Sequence, residues 1–207
     1  MKRTISGLYA VTADEPDTAL LLDQAEAALQ GGARLLQYRN KAADAALRHA
    51  QAAALLPLCR AHGVPLIIND HLALCLELGA DGVHLGADDG GLAAARAALG
   101  PGKLLGASCY NRLELALQAQ AAGADYVAFG SCFDSATKPA AVRAPLPLLG
   151  EAARATGLPV VAIGGITLDN APLAIAAGAS AVAVIGALWN APDIRQAALT
   201  FSHHFYS

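Results

Sequence analysis

Aromatic residues are scarce in this 207-residue chain, at 5%, although hydrophobic residues as a whole reach 55%. A core this short of rings is filled by small and branched aliphatic side chains, and the many alanines suit closely packed helices. Runs of Lys or Arg are also missing, and with a net charge of -3 and a pI near 6.0 this excludes a nucleic-acid surface. Any cation at a functional site must therefore be placed locally. The four cysteines, Cys59, Cys75, Cys109 and Cys132, form no CxxC and no metal-like spacing with the histidines, so they read as reduced thiols of a cytoplasmic protein. Lys2-Arg3 precedes an apolar stretch, 5–11, too short for a signal peptide before Asp14 and Glu15 intervene. Residues 170–192 carry no charge and are long enough to span a bilayer. Pro172, Gly178-Ala179-Ser180, Gly186 and Asn190 interrupt them, so a buried helix-plus-strand pair is the better reading and no membrane contact is expected. Linkers are absent too, and 1–207 reads as one domain.

What is present is alternation. The stretch 65–89, PLIINDHLALCLELGADGVHLGADD, holds two short apolar runs, 66–68 and 83–85, around one short helix at 71–78 closed by Gly79. Strand, helix, strand at this spacing is a βαβ unit with parallel neighbouring strands. The same pattern extends along the chain. Strands are predicted at 7–12, 35–38, 66–68, 83–85, 104–108, 126–129, 160–163 and 181–185. Helices are predicted at 17–30, 44–61, 71–78, 92–99, 112–122, 146–155, 169–177 and 193–205. Eight strands alternating with eight helices point to a (β/α)8 barrel. Gly-Ala pairs at 32–33, 79–80, 123–124 and 178–179 each precede an even-numbered strand, a weak internal repeat of two βα units. A doubly wound open sheet is the alternative, weakened by the missing glycine-rich nucleotide fingerprint after the first strand.

In such a barrel the active site lies at the carboxyl ends of the strands. The second strand delivers Gln37, Arg39 and Lys41 there, the third Asn69 and Asp70, the fourth His84 and Asp89, and the fifth Ser108. The loop 130–143 brings Ser135, Thr137 and Lys138, while the seventh strand ends in Gly164-Gly165 and the eighth in Ile185-Gly186. Asp70 and Asp89, with Asn69 beside them, suit a hard cation such as Mg2+ completed by water and phosphate. The plainer alternative makes Asp70 a helix cap and Asp89 a turn residue. Glycines after the last two strands let backbone N–H groups approach a phosphate monoester. Arg39, Lys41 and Lys138 near the two acids read as a diphosphate site. His84 points either into the barrel or toward a ligand. Cys109 and Cys132 lack a base partner and read as structural, His49 and His62 need no special role, and the terminal His203-His204 pair reads as solvated.

With these residues in place, the chain resembles the thiamine-phosphate synthase family over nearly its whole length. The segments that carry the resemblance are GLYAVT, LLQYRNK, LIINDH, DGVHLGADD, LLGASC, ADYVAFGSCFDSATKP and VVAIGGITLDNA, in the family's order. The resemblance implies two small-molecule substrates, a hydroxymethylpyrimidine diphosphate and a thiazole phosphate, joined with release of pyrophosphate. It implies that Gln37, Arg39, Asn40, Lys41 and Asn69 bind the pyrimidine diphosphate and that Asp70 and Asp89 bind Mg2+. Ser108 and Lys138 would complete those contacts, with Arg39, Lys41, Lys138 and Ser108 as the catalytic set. Ser135 and Thr137 would hold the thiazole phosphate, with backbone from Gly165, Ile185 and Gly186. Many relatives have threonine at the position of Ser135 and serine at that of Gly186. A thiazole tautomerase, or a non-catalytic barrel that senses a phosphorylated metabolite, is the alternative. The oligomeric state stays open, a homo-oligomer included.

Overall fold

The computed structural model describes residues 5–86, 89, 91–134 and 142–206. Ser135, Thr137 and Lys138 of the sequence reading lie outside the described residues. Eight parallel strands close into a barrel: β1 (Gly7–Val11), β2 (Leu35–Tyr38), β3 (Leu66–Asn69), β4 (Gly82–Leu85), β5 (Leu104–Tyr110), β6 (Tyr126–Phe129), β7 (Val160–Ile163) and β8 (Ala181–Val184). Neighbours in sequence are neighbours in the barrel, and β8 returns to β1 with Gly7 opposite Ala181. That closure removes the open-sheet alternative.

The strands are continuous apolar runs because both of their faces are buried. Inward side chains, among them Tyr9, Val11, Leu35, Ile67, Leu104, Tyr126, Val161 and Ala183, fill the barrel as one cluster. The outward ones pack under the helices with many alanines that are almost wholly buried. Those helices are α1 (Thr18–Gln30), α2 (Ala45–Ala61), α3 (Leu72–Leu78), α4 (Leu92–Leu99), α5 (Leu113–Ala121), α6 (Pro147–Thr156), α7 (Ala171–Ala176), α8 (Gly186–Trp189) and α9 (Ile194–His203). Asp17, Asp44 and Asp193 start α1, α2 and α9 by accepting backbone N–H bonds from the first turn. The four Gly-Ala pairs share one task. Each glycine has a positive φ, between 67° and 108°, that turns the chain toward an even-numbered strand, and each following alanine is buried.

Three details differ from the sequence reading. A ninth helix among the described residues, α8, is a single turn wound directly from the end of β8, with the Leu188 and Trp189 N–H groups bonded to the Ile185 carbonyl. β5 runs on to Tyr110, past a register shift against β6 between Ser108 and Tyr110. Residues 170–192 divide into α7, β8 and α8, and no described helix is long and apolar enough to cross a membrane.

Candidate active site

A cavity of about 570 Å³ opens at the carboxyl ends of the strands, a size suited to a small-molecule site. Its wall includes Gln37, Arg39, Lys41, Asn69, Asp70, Asp89, Ser108, Gly165, Ile185 and Gly186. Ten residues proposed from the sequence thus meet at one opening. Asn40 does not join them. Its amide is turned inward, donating to the Glu15 carbonyl at 2.8 Å and to Gln51 at 3.0 Å, and its oxygen accepts the Ala43 N–H. The placement corrects its inclusion as a substrate-binding residue: it holds the loop after β2 in shape.

That loop is set largely by β1. The Thr12 hydroxyl both donates to the Arg39 carbonyl and accepts the Arg39 N–H, at 2.7 and 2.8 Å. Asp14 accepts the Lys41 N–H at 2.8 Å and pairs with the Arg39 guanidinium at 3.0 Å. Two cationic side chains are so aimed at the cavity from a backbone with little freedom. Lys41 reaches Asp70, with Nζ 3.3 Å from Oδ2.

Asp70 has φ of 62°, a left-handed conformation that is costly for most residues and accessible to Asp and Asn. Its side chain does not cap α3, which has His71 at its N-cap and no side-chain cap bond. The helix-cap reading of Asp70 therefore fails. Asp89 does serve a turn, since its Oδ2 accepts the Gly86 N–H at 2.8 Å. Both carboxylates also line the cavity and both act on the His71 imidazole. Partial desolvation, chiefly, with Arg48 and Lys41 outweighs them and keeps that imidazole below its ordinary pKa. Among the described residues no cluster of three His, Cys, Asp or Glu side chains stands ready for a metal. Two carboxylates at one cavity nevertheless fit Mg2+, which takes one or two protein carboxylates and completes its shell with water and phosphate.

On the opposite side the wall is backbone. Gly165 has φ of 65°, and a Cβ there would stand 2.2 Å from the Asp134 carbonyl oxygen. Gly186 is open, the nearest atom to such a Cβ being Asn190 Nδ2 at 3.6 Å. No side chain at either position separates the backbone from a ligand.

The floor is polar and was only partly foreseen. His84, 7% exposed, points into the barrel, and its ring also lines the cavity. Its Nε2 is 2.9 Å from Ser108 Oγ and its Nδ1 3.1 Å from the Tyr126 hydroxyl. The two rings stack, with centroids 5.5 Å apart at 28°. Gly106 makes room for the stack, because a Cβ there would collide with the Tyr126 ring and lie 2.5 Å from His84 Nδ1. Burial pushes the His84 pKa down to about 4 against the opposing charge of Asp89, so the ring is neutral near pH 7. Tyr9 and Tyr126 were missed, as were Thr12 and Asp14. Strand parity could have found Tyr9, which lies two residues before inward-facing Val11. Cysteine thiolates are lacking among the described residues. All four cysteines are buried, and burial pushes Cys59 and Cys109 up to about 12 and Cys75 and Cys132 up to about 11.

A parallel eight-stranded barrel with a cavity of charged and polar side chains at the carboxyl ends of its strands defines the (β/α)8 class. The chain belongs to the thiamine monophosphate synthase family, whose sequence model matches residues 8–188. It is 61% identical over 201 residues to the thiamine-phosphate synthase of Methylobacillus flagellatus, covering 97% of this chain and 96% of that one. It is 56% identical over 205 residues to that of Thiobacillus denitrificans, covering 99% and 97%. Among solved structures, the thiamine phosphate pyrophosphorylase of Pyrococcus furiosus superposes with a TM-score of 0.87 at 32% identity, covering 99% and 97%. The activity is that of a thiamine-phosphate synthase, a transferase, and the tautomerase and non-catalytic alternatives are not favoured.

Proposed function

We propose that the cavity holds a pyrimidine diphosphate and a thiazole phosphate side by side and transfers the pyrimidinylmethyl group to the thiazole nitrogen, releasing pyrophosphate. The observation that supports this reading is the division of one 570 Å³ cavity into a rim of charged side chains and a rim of bare backbone. The charged rim, Arg39, Lys41, Asp70 and Asp89, suits a diphosphate; the backbone rim, Gly165, Ile185 and Gly186, suits a monoester phosphate. Ser135, Thr137 and Lys138 join these sites in our assignment, on the strength of the family resemblance.

Arg39 and Lys41 bind the diphosphate and neutralise charge that grows on it as it leaves. Gln37, Asn69 and Ser108 orient the pyrimidine beneath it. Asp70 and Asp89 would hold Mg2+, which when bound would supply charge stabilisation to a departing pyrophosphate. The residues around the floor provide no thiolate and no free imidazole nitrogen, so the protein's contribution is placement and electrostatics. Four free cysteines accord with a cytoplasmic setting.

The deciding experiment incubates the protein with both substrates and Mg2+ and follows pyrophosphate. Release that requires both substrates supports the proposal. No release, or release from the pyrimidine diphosphate alone at the same rate, would overturn it.

A further inference from the structure

Five side chains from five strands form an unbroken hydrogen-bonded chain through the barrel. Gln37 Nε2 donates to the Tyr9 hydroxyl at 2.8 Å, and the Tyr9 and Tyr126 hydroxyls are 2.7 Å apart. Tyr126 is 3.1 Å from His84 Nδ1, and His84 Nε2 is 2.9 Å from Ser108 Oγ. The two ends, Gln37 and Ser108, line the cavity, while Tyr126 between them is wholly buried.

Proton counting gives this chain a direction. Each hydroxyl owns one proton. Tyr9 accepts from Gln37, and the Tyr126 oxygen is the partner at 2.7 Å that can take its proton, so the arrangement in which every proton finds an acceptor has Tyr9 donating to Tyr126. Tyr126 then gives its proton to His84 Nδ1, the remaining acceptor within reach. A neutral imidazole holds a single ring proton, which must therefore be on Nε2 and is donated to Ser108 Oγ. Ser108 is left with an O–H to offer the cavity. Gln37, with its amide nitrogen committed to Tyr9, offers its carboxamide oxygen.

We infer that this relay makes Tyr9 and Tyr126 positioning residues for specificity: it forces Gln37 and Ser108 to present opposite polarities, one acceptor and one donor, to an aminopyrimidine edge. Such an edge has the complementary pair, an amino group that gives a proton and an adjacent ring nitrogen that takes one. An analogue with an oxo group in place of the amino group carries the inverse pattern, and leaves the site's buried polar groups mismatched. Tyr126 is the more decisive of the two, because its hydroxyl is the direct partner of His84 Nδ1. Tyr9 fixes the Gln37 amide.

The inference rests on the pyrimidine reading of the cavity, and the test separates the two. Histidine ring nitrogens labelled with 15N report directly which nitrogen is protonated, without any substrate. The wild-type protein should show His84 as the Nε2–H form at pH 7.5, and Tyr126→Phe, which keeps the stacked ring, should give a mixture. Calorimetric titration with the aminopyrimidine diphosphate and its oxo analogue should show a preference of at least about tenfold in the wild type. That preference should shrink to less than about threefold in Tyr126→Phe, with a smaller loss in Tyr9→Phe. A proton on Nδ1 in the wild type, or an unchanged preference in Tyr126→Phe, would overturn the relay. If Tyr126→Phe fails to fold, Tyr9→Phe decides it, and an unaltered preference there counts against the relay. If neither diphosphate binds the wild type, the pyrimidine reading falls, while the 15N measurement still decides the relay.

Discussion

Lys41 and Asp70 meet at 3.3 Å across the rim of the cavity, the lysine half-exposed and the aspartate held in a left-handed backbone conformation. An exposed ion pair of this kind contributes about 0–1 kcal/mol to stability, and the left-handed region is one that aspartate enters more readily than most residues. The pair sets a cation and a carboxylate side by side at the cavity wall.

The first prediction follows from that placement. Asparagine tolerates the left-handed region as aspartate does, so Asp70→Asn removes the charge and leaves the backbone alone. Turnover should fall about a hundredfold or more while the melting temperature changes little. Asp89→Asn should act likewise, and EDTA should abolish activity that Mg2+ restores. Undiminished turnover in EDTA would remove the metal from the scheme.

Two glycines on the backbone rim should respond in opposite ways. A side chain at Gly165 would strike the Asp134 carbonyl and Phe133 in a positive-φ conformation, so Gly165→Ala should cost both stability and thiazole phosphate binding. A larger residue such as valine at this position would first disturb the loop after β6, and would not report phosphate access alone. Gly186 lacks that obstruction. Gly186→Ala should fold normally and retain thiazole phosphate binding within a few-fold, as titration of each variant with that ligand would show. Arg39→Ala, by contrast, should weaken the pyrimidine diphosphate and leave the thiazole phosphate largely unaffected.

The barrel was legible in the sequence because parallel strands buried on both faces leave continuous apolar runs, and each Gly-Ala turn punctuates them. The rim was legible where a polar residue interrupts the end of such a run, as Gln37, Asn69, Asp70 and Ser108 do. Asn40 shows the limit of that logic: proximity to Arg39 and Lys41 said nothing of the direction its amide takes toward Gln51. Tyr9 and Tyr126 look like ordinary core filling in their own strands, and their partnership spans 117 positions of sequence. The single turn of α8 was hidden because Gly186 and Asn190 read as breakers, whereas the strand end at Ile185 supplies its first carbonyl.

Acid should weaken the fold through His84. The folded imidazole titrates at about 4 against an ordinary 6.5, so as pH falls through that interval the unfolded chain takes up a proton first. The contribution is complete above pH 6.5 and is lost as pH approaches 4, by about 3 kcal/mol in total. Denaturant midpoints across pH 4–7 should slope more steeply in the wild type than in His84→Gln. Equal slopes would mean that the buried ring titrates in the folded protein as it does in the unfolded chain.

The order of bond events is the last prediction, and it rests on what the floor of the cavity withholds. No described cysteine is near ionisation, and His84 has both ring nitrogens engaged, by Tyr126 and Ser108. A covalent intermediate on the protein therefore lacks an author among these residues. An electron-rich aminopyrimidine can carry a methylene cation, so the carbon–oxygen bond can break before the thiazole nitrogen attacks. Fluorination of the pyrimidine methyl group would destabilise that cation, and the chemical step should slow strongly, each tenfold loss corresponding to about 1.4 kcal/mol of transition-state stabilisation. Lys138, which the family resemblance assigns to the diphosphate, should matter in the same step, so that Lys138→Ala lowers kcat more than it raises KM. Single-turnover rates with fluorinated and natural substrates provide the measurement. A chemical step indifferent to fluorine would show departure and attack to be concerted, and the cation would be abandoned.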